Sequence, residues 1–342
     1  MPRTERISAW LRRPVTGASL VVAGVAAVIV GTMLLGDINA GYKVVLVLGG
    51  LVGMYAGSSV IAKRVFGPQF DLGLWLALVW VLVVVLCAVF ADLLPLRESR
   101  DVANTFDETP YVRPDLFSAH PLGTDRQALD VLGQIIYGAR VSLQVSIGAV
   151  VFGMIVGGGI GLLAGYYRRK VDAITAVFTD SILAFPPLIL LLALVTVLDR
   201  NVTNIVIGLS ILVLPTYARL ARANTLVHAE REFVLAARAM GARDRRIILR
   251  EILPNVLLPL LSYAFIIMAV LIVAEGSLSF LGLSIQRPNP TWGNIIAVHQ
   301  DDLQRNPHVV FAPGTAMIVT IYCLNRLGEK ARQIWDPREA AI

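Results

Sequence analysis

Two carboxylates stand out by position. Asp180 and Glu275 lie within long apolar runs that otherwise carry almost no charge. A carboxylate surrounded by hydrocarbon costs about 3 kcal/mol unless protein or water meets it. Such a group either lines a polar pathway or is hydrogen-bonded within packing. Pro186-Pro187 and Pro215 interrupt the same kind of run. They leave backbone carbonyls that lipid cannot satisfy. The chemistry expected of Asp180, Pro186 and Glu275 is therefore a polar lining for a pathway, with hydrogen-bonded packing as the competing reading.

Bond-making chemistry has no visible constellation in the sequence. It has no GxxxxGK(S/T) loop for binding ATP, no HExxH, no GxSxG and no Cys/His metal spacing. Its four histidines, His120, His228, His299 and His308, are scattered and read as solvated loop residues. The run Gly157-Gly158-Gly159-Ile160-Gly161 resembles a phosphate loop only superficially, because it lies mid-span with no basic residue nearby. No catalytic residue, metal or chain-bound cofactor is expected, and the chain does not read as an enzyme. Gly153, Gly157, Gly161 and Gly165 instead recur every four residues, which places them on one helix face. Small residues at that spacing predict a close helix–helix contact.

A second kind of chemistry is docking. The stretch from Glu230 to Gly241 reads as a short amphipathic helix, with Phe233, Ala236, Ala237 and Met240 at i, i+3, i+4 and i+7. Glu230 and Glu232 at its start and Arg238 near its end suit the macrodipole, and Gly241 suits the cap. Its small apolar residues offer a shallow ridge for a groove on another protein. The alternative is a helix lying on lipid. A second helical run from Asp244 to Leu253 is expected to stop at Pro254.

These residues must be positioned by elements that fit an unusual composition. The chain has 342 residues, 56% hydrophobic and only 16% charged, with a mean hydropathy of +0.70. Soluble domains carry about a quarter charged residues, so a soluble two-domain enzyme is excluded. Apolar runs of about 20 residues cross a bilayer. Eight are expected: 15–36, 42–62, 73–95, 141–166, 173–198, 203–221, 256–279 and 310–327. The first is too long for a secretory leader and reads as an uncleaved helix.

The net charge of +6 does not argue for nucleic acid, because Lys and Arg gather in short segments beside apolar runs. With the N-terminus inside, segments 1–14, 63–72, 167–172, 219–255 and 326–342 hold 21 of the 30 Lys and Arg. That bias predicts a multi-pass plasma-membrane protein with both termini cytoplasmic. Segments 96–140 and 280–312 then become outer loops. Cys87 and Cys323 lie in apolar runs and have no CxxC partner.

Several motifs resemble one family. Arg231-Glu-Phe-Val-Leu-Ala-Ala-Arg-Ala-Met-Gly-Ala242, followed by Arg246-Ile-Ile-Leu-Arg-Glu-Ile-Leu-Pro-Asn255, resembles the EAA coupling loop of ABC importer permeases. His120-Pro-Leu-Gly-Thr-Asp125, Tyr137-Gly-Ala-Arg140, Leu278-Ser-Phe-Leu-Gly-Leu283, Pro290-Thr-Trp-Gly-Asn294 and Trp335-Asp-Pro-Arg338 are similar to the C-type permease of dipeptide and oligopeptide importers. Leu235 stands where the wider family often has Glu, and Ala128-Leu129-Asp130 where it usually has Gly-Arg-Asp.

The resemblance implies an all-α integral membrane protein of about eight transmembrane helices. A six-helix permease core, with the coupling loop at 222–255, would occupy 67–342, preceded by two extra helices in 1–66. It implies ATPase coupling through Arg231, Glu232, Phe233, Ala236, Ala237, Arg238, Met240 and Gly241. It also implies contact with an external binding protein near Trp292, Gly293 and Asn294. The implied partners are a second permease subunit, two ATPase subunits carrying ATP and Mg, a peptide-binding protein and membrane lipid. Di- or oligopeptides are the expected cargo. Nickel, an antimicrobial peptide or a glycopeptide remain alternatives, as does an ion-coupled secondary transporter.

Overall fold

The computed structural model describes residues 14–30, 40–115, 117–197, 199–286 and 288–335. Among these residues the chain is helical, without strands beyond an isolated bridge between Thr124 and Asp130. It divides into two compact units, Met1–Leu76 and Ala77–Ile342.

The first unit is a hairpin of α1 (Pro14–Ile29) and α2 (Ala40–Phe66). Glycines seven residues apart on each helix bring the backbones together. A Cβ added at Gly24 would lie 2.5 Å from the Gly50 carbonyl oxygen, and one at Gly57 would lie 2.5 Å from that of Gly17. With no hydrophobic force drawing helices together in lipid, such close packing is what holds them. Part of the expected span 15–36 lies outside the described residues.

The remaining helices are α3 (Leu72–Val89), α4 (Val131–Tyr167), α5 (Arg169–Leu183), α6 (Pro187–Val197), α7 (Val202–Ala229), α8 (Glu232–Ala239), α9 (Asp244–Phe280), α10 (Trp292–Val298) and α11 (His308–Trp335). Six described helices, α2, α3, α4, α7, α9 and α11, are long and apolar enough to cross a membrane, and α5 with α6 makes a seventh as a bent pair. The chain is thus a multi-pass, all-α membrane protein.

Two expectations need correction, and one is extended: the span at 173–198, interrupted at Pro186-Pro187, is bent, since α5 and α6 meet at 86°. Pro186 and Pro187 lack the N–H groups that would continue α5, and each disfavours helical geometry in the residue before it. Pro254 does not end a helix. A π-turn over Ile247–Ile252 precedes it, and the wider turn accommodates the proline ring where a regular helix would clash. Lastly, residues 131–140 are not loop. Asp130 caps α4, accepting from the Gly133 N–H at 2.7 Å, so the helix starts ten residues before the apolar run.

The core of this unit is the α4–α7 pair. The glycine stripe of α4 lies directly on α7: added Cβ atoms would meet Val213 Cγ2 at 2.6 Å from Gly153 and Thr225 Cβ at 2.6 Å from Gly165. From Gly157 and Gly161 they would strike the carbonyl oxygens of Leu214 and Ala218. Around this contact, Leu209, Tyr217, Ile247, Ile252, Val256 and Leu271 are fully buried in one apolar cluster.

Candidate functional site

The segment expected to dock sits at one end of the second unit. There α4 ends, α7 ends and α9 begins. Val234 and Ala237 are the buried side of α8 and join Ile247 and Ile248 of α9 in the core cluster. The expected four-residue ridge is therefore split. Ala237 belongs to the inner face, while Phe233, Ala236 and Met240 remain exposed, Met240 by 82%. A helix with one face seated on its own chain presents the other outward.

Its end is fixed locally. Gly241 has φ +77°, its N–H donates to the Arg238 carbonyl at 2.9 Å, and the Ala242 N–H donates to the Ala237 carbonyl at 3.0 Å. Both bonds of a Schellman cap are present, and the left-handed residue they need is the glycine. Arg231 provides the N-cap backbone, with Glu232 in the first turn. The Arg238 guanidinium lies 5.3 Å from the Tyr166 ring centroid, and the Tyr166 hydroxyl donates to Asp244 at 2.6 Å. α8 is tied to the ends of both α4 and α9.

At the opposite end, the motif around Trp292 folds back into the helices. Thr291 caps α10, accepting from the Asn294 N–H at 3.0 Å. Trp292 is 1% exposed and donates its indole N–H to the Ile135 carbonyl at 3.0 Å. A Cβ on Gly293 would lie 2.5 Å from the Gly276 Cα. Trp292 and Gly293 are thus buried packing residues. They cannot offer their side chains to an external protein, contrary to the expectation from their loop position. Asn294 is half-buried and donates to the Ile285 carbonyl at 3.1 Å.

Glu275 explains how this segment stays in place. It is fully buried, and its Oε1 accepts from Ser279 at 2.8 Å, Ser284 at 2.7 Å and Thr291 at 2.9 Å, while Oε2 has no partner. The carboxylate gathers the end of α9, the following loop and the cap of α10 at one oxygen. Three donors at one acceptor make the carboxylate a packing hub within the chain.

The same end carries a polar clasp that the isolated histidines did not announce. His299 lies between Asp125 and Asp302, at 3.3 Å from an oxygen of each. Asp302 also accepts from the Tyr111 hydroxyl at 2.7 Å, and Gln134 donates to Asp125 at 2.8 Å. His120 lies between Asp130 (3.1 Å) and Glu108 (3.2 Å). His120 and His299 are buried, not solvated.

Burial works against the charges of Asp125 and Asp302, but hydrogen bonds and His299 outweigh it and hold both below the ordinary carboxylate value. At Asp130 burial prevails over the Gly133 and His120 bonds and raises the value. Close to the clasp, Arg140 caps the end of α3, donating to the Ala88 and Val89 carbonyls at 2.6 and 3.1 Å and to Asp92 at 2.8 Å. None of the described residues forms a cluster suited to a metal ion.

Asp180 stands in the last turns of α5, before the Pro186 break, and accepts from Arg219 of α7 at 2.6 Å. Asp172 and Arg222 form a second, two-pronged pair between the same helices. The structure brings Asp180 to this polar face but not to Glu275, which lies at the far end of α9.

Comparison with known proteins agrees with the motifs. Residues 157–339 match the family described as "Binding-protein-dependent transport system inner membrane component". The chain is 37% identical over 221 residues to the glutathione transport system permease protein GsiD of Pectobacterium atrosepticum, covering 65% of this chain and 73% of that protein. It is 35% identical to the dipeptide transport system permease protein DppC of Alkalihalophilus pseudofirmus, covering 74% and 82%. It is 33% identical to the di/tripeptide transport system permease protein DppC of Pseudomonas aeruginosa, covering 76% and 86%. Among solved structures, the inward-facing MetNI methionine ABC transporter matches with a TM-score of 0.48 at 20% identity, over 59% of this chain and 96% of that one.

Proposed function

Because the chain belongs to the family of binding-protein-dependent transport inner-membrane components, we propose that it is the permease subunit of an ABC importer whose cargo is a di- or oligopeptide. The peptide assignment is supported by relatives named for dipeptide, di/tripeptide and glutathione transport. A permease of this kind works with ATPase and substrate-binding partners. In our reading a second, dissimilar permease supplies the other half of the pathway, and two ATPase subunits bind ATP and Mg. An external peptide-binding protein delivers cargo to the end that carries α10.

One observation carries the coupling role: α8 is seated on its own chain by Val234 and Ala237, yet leaves Phe233, Ala236 and Met240 uncovered. These three form a narrow apolar ridge beside exposed Arg238. On this reading the ridge occupies a groove on an ATPase, and that end is cytoplasmic with both termini. ATP binding closes the ATPase pair and supplies the bias between two packings of the permease.

Co-expression with the candidate partners tests the proposal. Phe233→Asp and Met240→Asp alter exposed side chains and leave the packed face of α8 untouched. Wild type should retain the ATPase subunits through purification, and both variants should lose them together with peptide-stimulated ATP hydrolysis. Retention by the variants would refute the docking ridge. Peptide uptake by the chain alone, driven by an ion gradient, would favour a secondary transporter.

A further inference from the structure

We propose that Arg219 is a binding subsite for the free α-carboxylate of the peptide cargo, and that Asp180 occupies it as a resident carboxylate when no cargo is present. The proposal rests on the peptide-permease reading and adds a residue-level contact within the pathway.

Depth is the first argument. Arg219 follows Val202, the first residue of α7, by 17 residues, about 26 Å along a helix axis. That places it near the far edge of a hydrocarbon core of about 30 Å. A guanidinium and a carboxylate there do not face lipid tails. They face protein or water.

Exposure is the second. Although bonded to each other, the side chains of Arg219 and Asp180 are 55% and 64% exposed. At the edge of a span, such a face is met by a partner subunit, by lipid headgroups or by water. Arg219 also borders two cavities of about 380 and 360 Å³. The first includes Thr175, Thr179 and Arg222, the second Asn224, Ser262 and Tyr263. Each cavity mixes hydroxyl and charged side chains with apolar ones.

Bond geometry is the third. Arg222 grips Asp172 through Nε and Nη2 with both carboxylate oxygens, which saturates that fork as a structural tie. Arg219 offers Asp180 only Nη2, to one oxygen. Its remaining donors stay open to a second carboxylate, and guanidinium–carboxylate recognition is strongest when bidentate. A peptide's terminal carboxylate is present whatever its side chains, so one such contact serves varied cargo. Exchange of one carboxylate for another also keeps the subsite shallow in energy, as passage requires.

The test uses the complete transporter in liposomes, with its binding protein preloaded with a dipeptide as the free acid or as the C-terminal amide. Preloading removes the binding protein's own preference from the comparison. Wild type should take up the free acid about tenfold faster than the amide, in line with loss of one charge-assisted bidentate contact. Arg219→Gln should bring that ratio close to one, while Arg219→Lys keeps part of it. Asp180→Asn should preserve or raise the preference, because it frees the guanidinium.

If Arg219→Gln slows both peptides equally, the pair is only a clasp between α5 and α7 and the subsite is refuted. An equal slowing that instead tracks the anionic lipid content points to a headgroup phosphate and also overturns it. If wild type shows no ATP-driven uptake of either peptide, the peptide-permease reading itself falls, and the subsite falls with it.

Discussion

The α4–α7 contact permits a matched pair of substitutions on a single helix. Gly161 lies against the Ala218 backbone: an added Cβ would be 2.8 Å from its carbonyl carbon and 2.9 Å from its Cα. Gly159, two residues away, has nothing within 4 Å of the same added atom. Both substitutions gain about 1 kcal/mol of intrinsic helix preference when Gly becomes Ala. Only Gly161→Ala also forces two backbones apart, and a backbone cannot swing aside as a flexible side chain can.

Overpacking of this kind costs about 1–3 kcal/mol. Separation at residue 161 also loosens Gly157 over Leu214 and Gly165 over Thr225, so the upper half of that range applies. The net expectation is a loss of about 1–2 kcal/mol for Gly161→Ala and a gain of up to about 1 kcal/mol for Gly159→Ala. For a unit of this size each kcal/mol shifts Tm by about 2–4 °C. Thermal unfolding of the purified protein in detergent should place wild type between the two variants, with Gly161→Ala lowest. Equal shifts, or a stabilised Gly161→Ala, would refute the argument that backbone contact sets the helix spacing.

Other consequences follow from groups with missing or shared partners. The Tyr217 hydroxyl is buried without a hydrogen bond, so Tyr217→Phe should raise stability by about 1 kcal/mol, read as a higher Tm. Glu275→Leu strands the hydroxyls of Ser279, Ser284 and Thr291 and should cost about 2–4 kcal/mol; Glu275→Gln keeps an acceptor oxygen and should cost less, as measured by the fraction surviving as monodisperse protein. Asp125 and Asp302 are held below the ordinary carboxylate value, so the stability they lend the polar clasp is present above that value and is lost as pH falls through their folded values, below about pH 4. Asp130, raised by burial, has the opposite sign and opposes folding as pH rises through its folded value. Comparing Tm at pH 5 and pH 3 should therefore show a larger acid loss in wild type than in Asp302→Asn.

What could be read in advance follows from the range of the interaction. The glycine stripe was legible because four-residue spacing and helix geometry are local, and the Gly241 cap because a left-handed residue is written into one position. The glycines of α1 and α2 had the same kind of signal, a seven-residue stride from Gly17 to Gly24 and from Gly50 to Gly57, that only pairing makes obvious. The clasp was not legible. Asp125 and His299 are far apart in sequence, and neither has a neighbour that announces the other. Trp292 misled for a related reason: Pro and Gly around it suggest an exposed turn, whereas its burial depends on Ile135 and Ser142 of α4. Ala128 belongs here too. It adopts φ +59° at the position where the resembling family usually has Gly, and local preference alone would not have chosen that backbone for alanine.

The two ends of the second unit are linked by the same pair of helices. α4 and α9 each run for 37 residues, about 55 Å, long enough to extend beyond the hydrocarbon on both sides. At one end both hold α8, through Tyr166 and Asp244 with Arg238, and through Ile247 and Ile248 beneath Val234. At the other end both hold α10, through Gly138 and Ser142 of α4 and Gly276 of α9. α8 and α10 are thus joined through α4 and α9, with α7 locked to α4 by backbone contact. Two interruptions of the helices stand out among the described residues. They are the π-turn at Ile247–Ile252, where the helical ladder is already loosened, and the 86° break between α5 and α6. Asp180 and Arg219 bridge that break's first half to α7. On the subsite proposal, a carboxylate that replaces Asp180 would release α5 from one of its two ion pairs to α7, beside a span that is already divided.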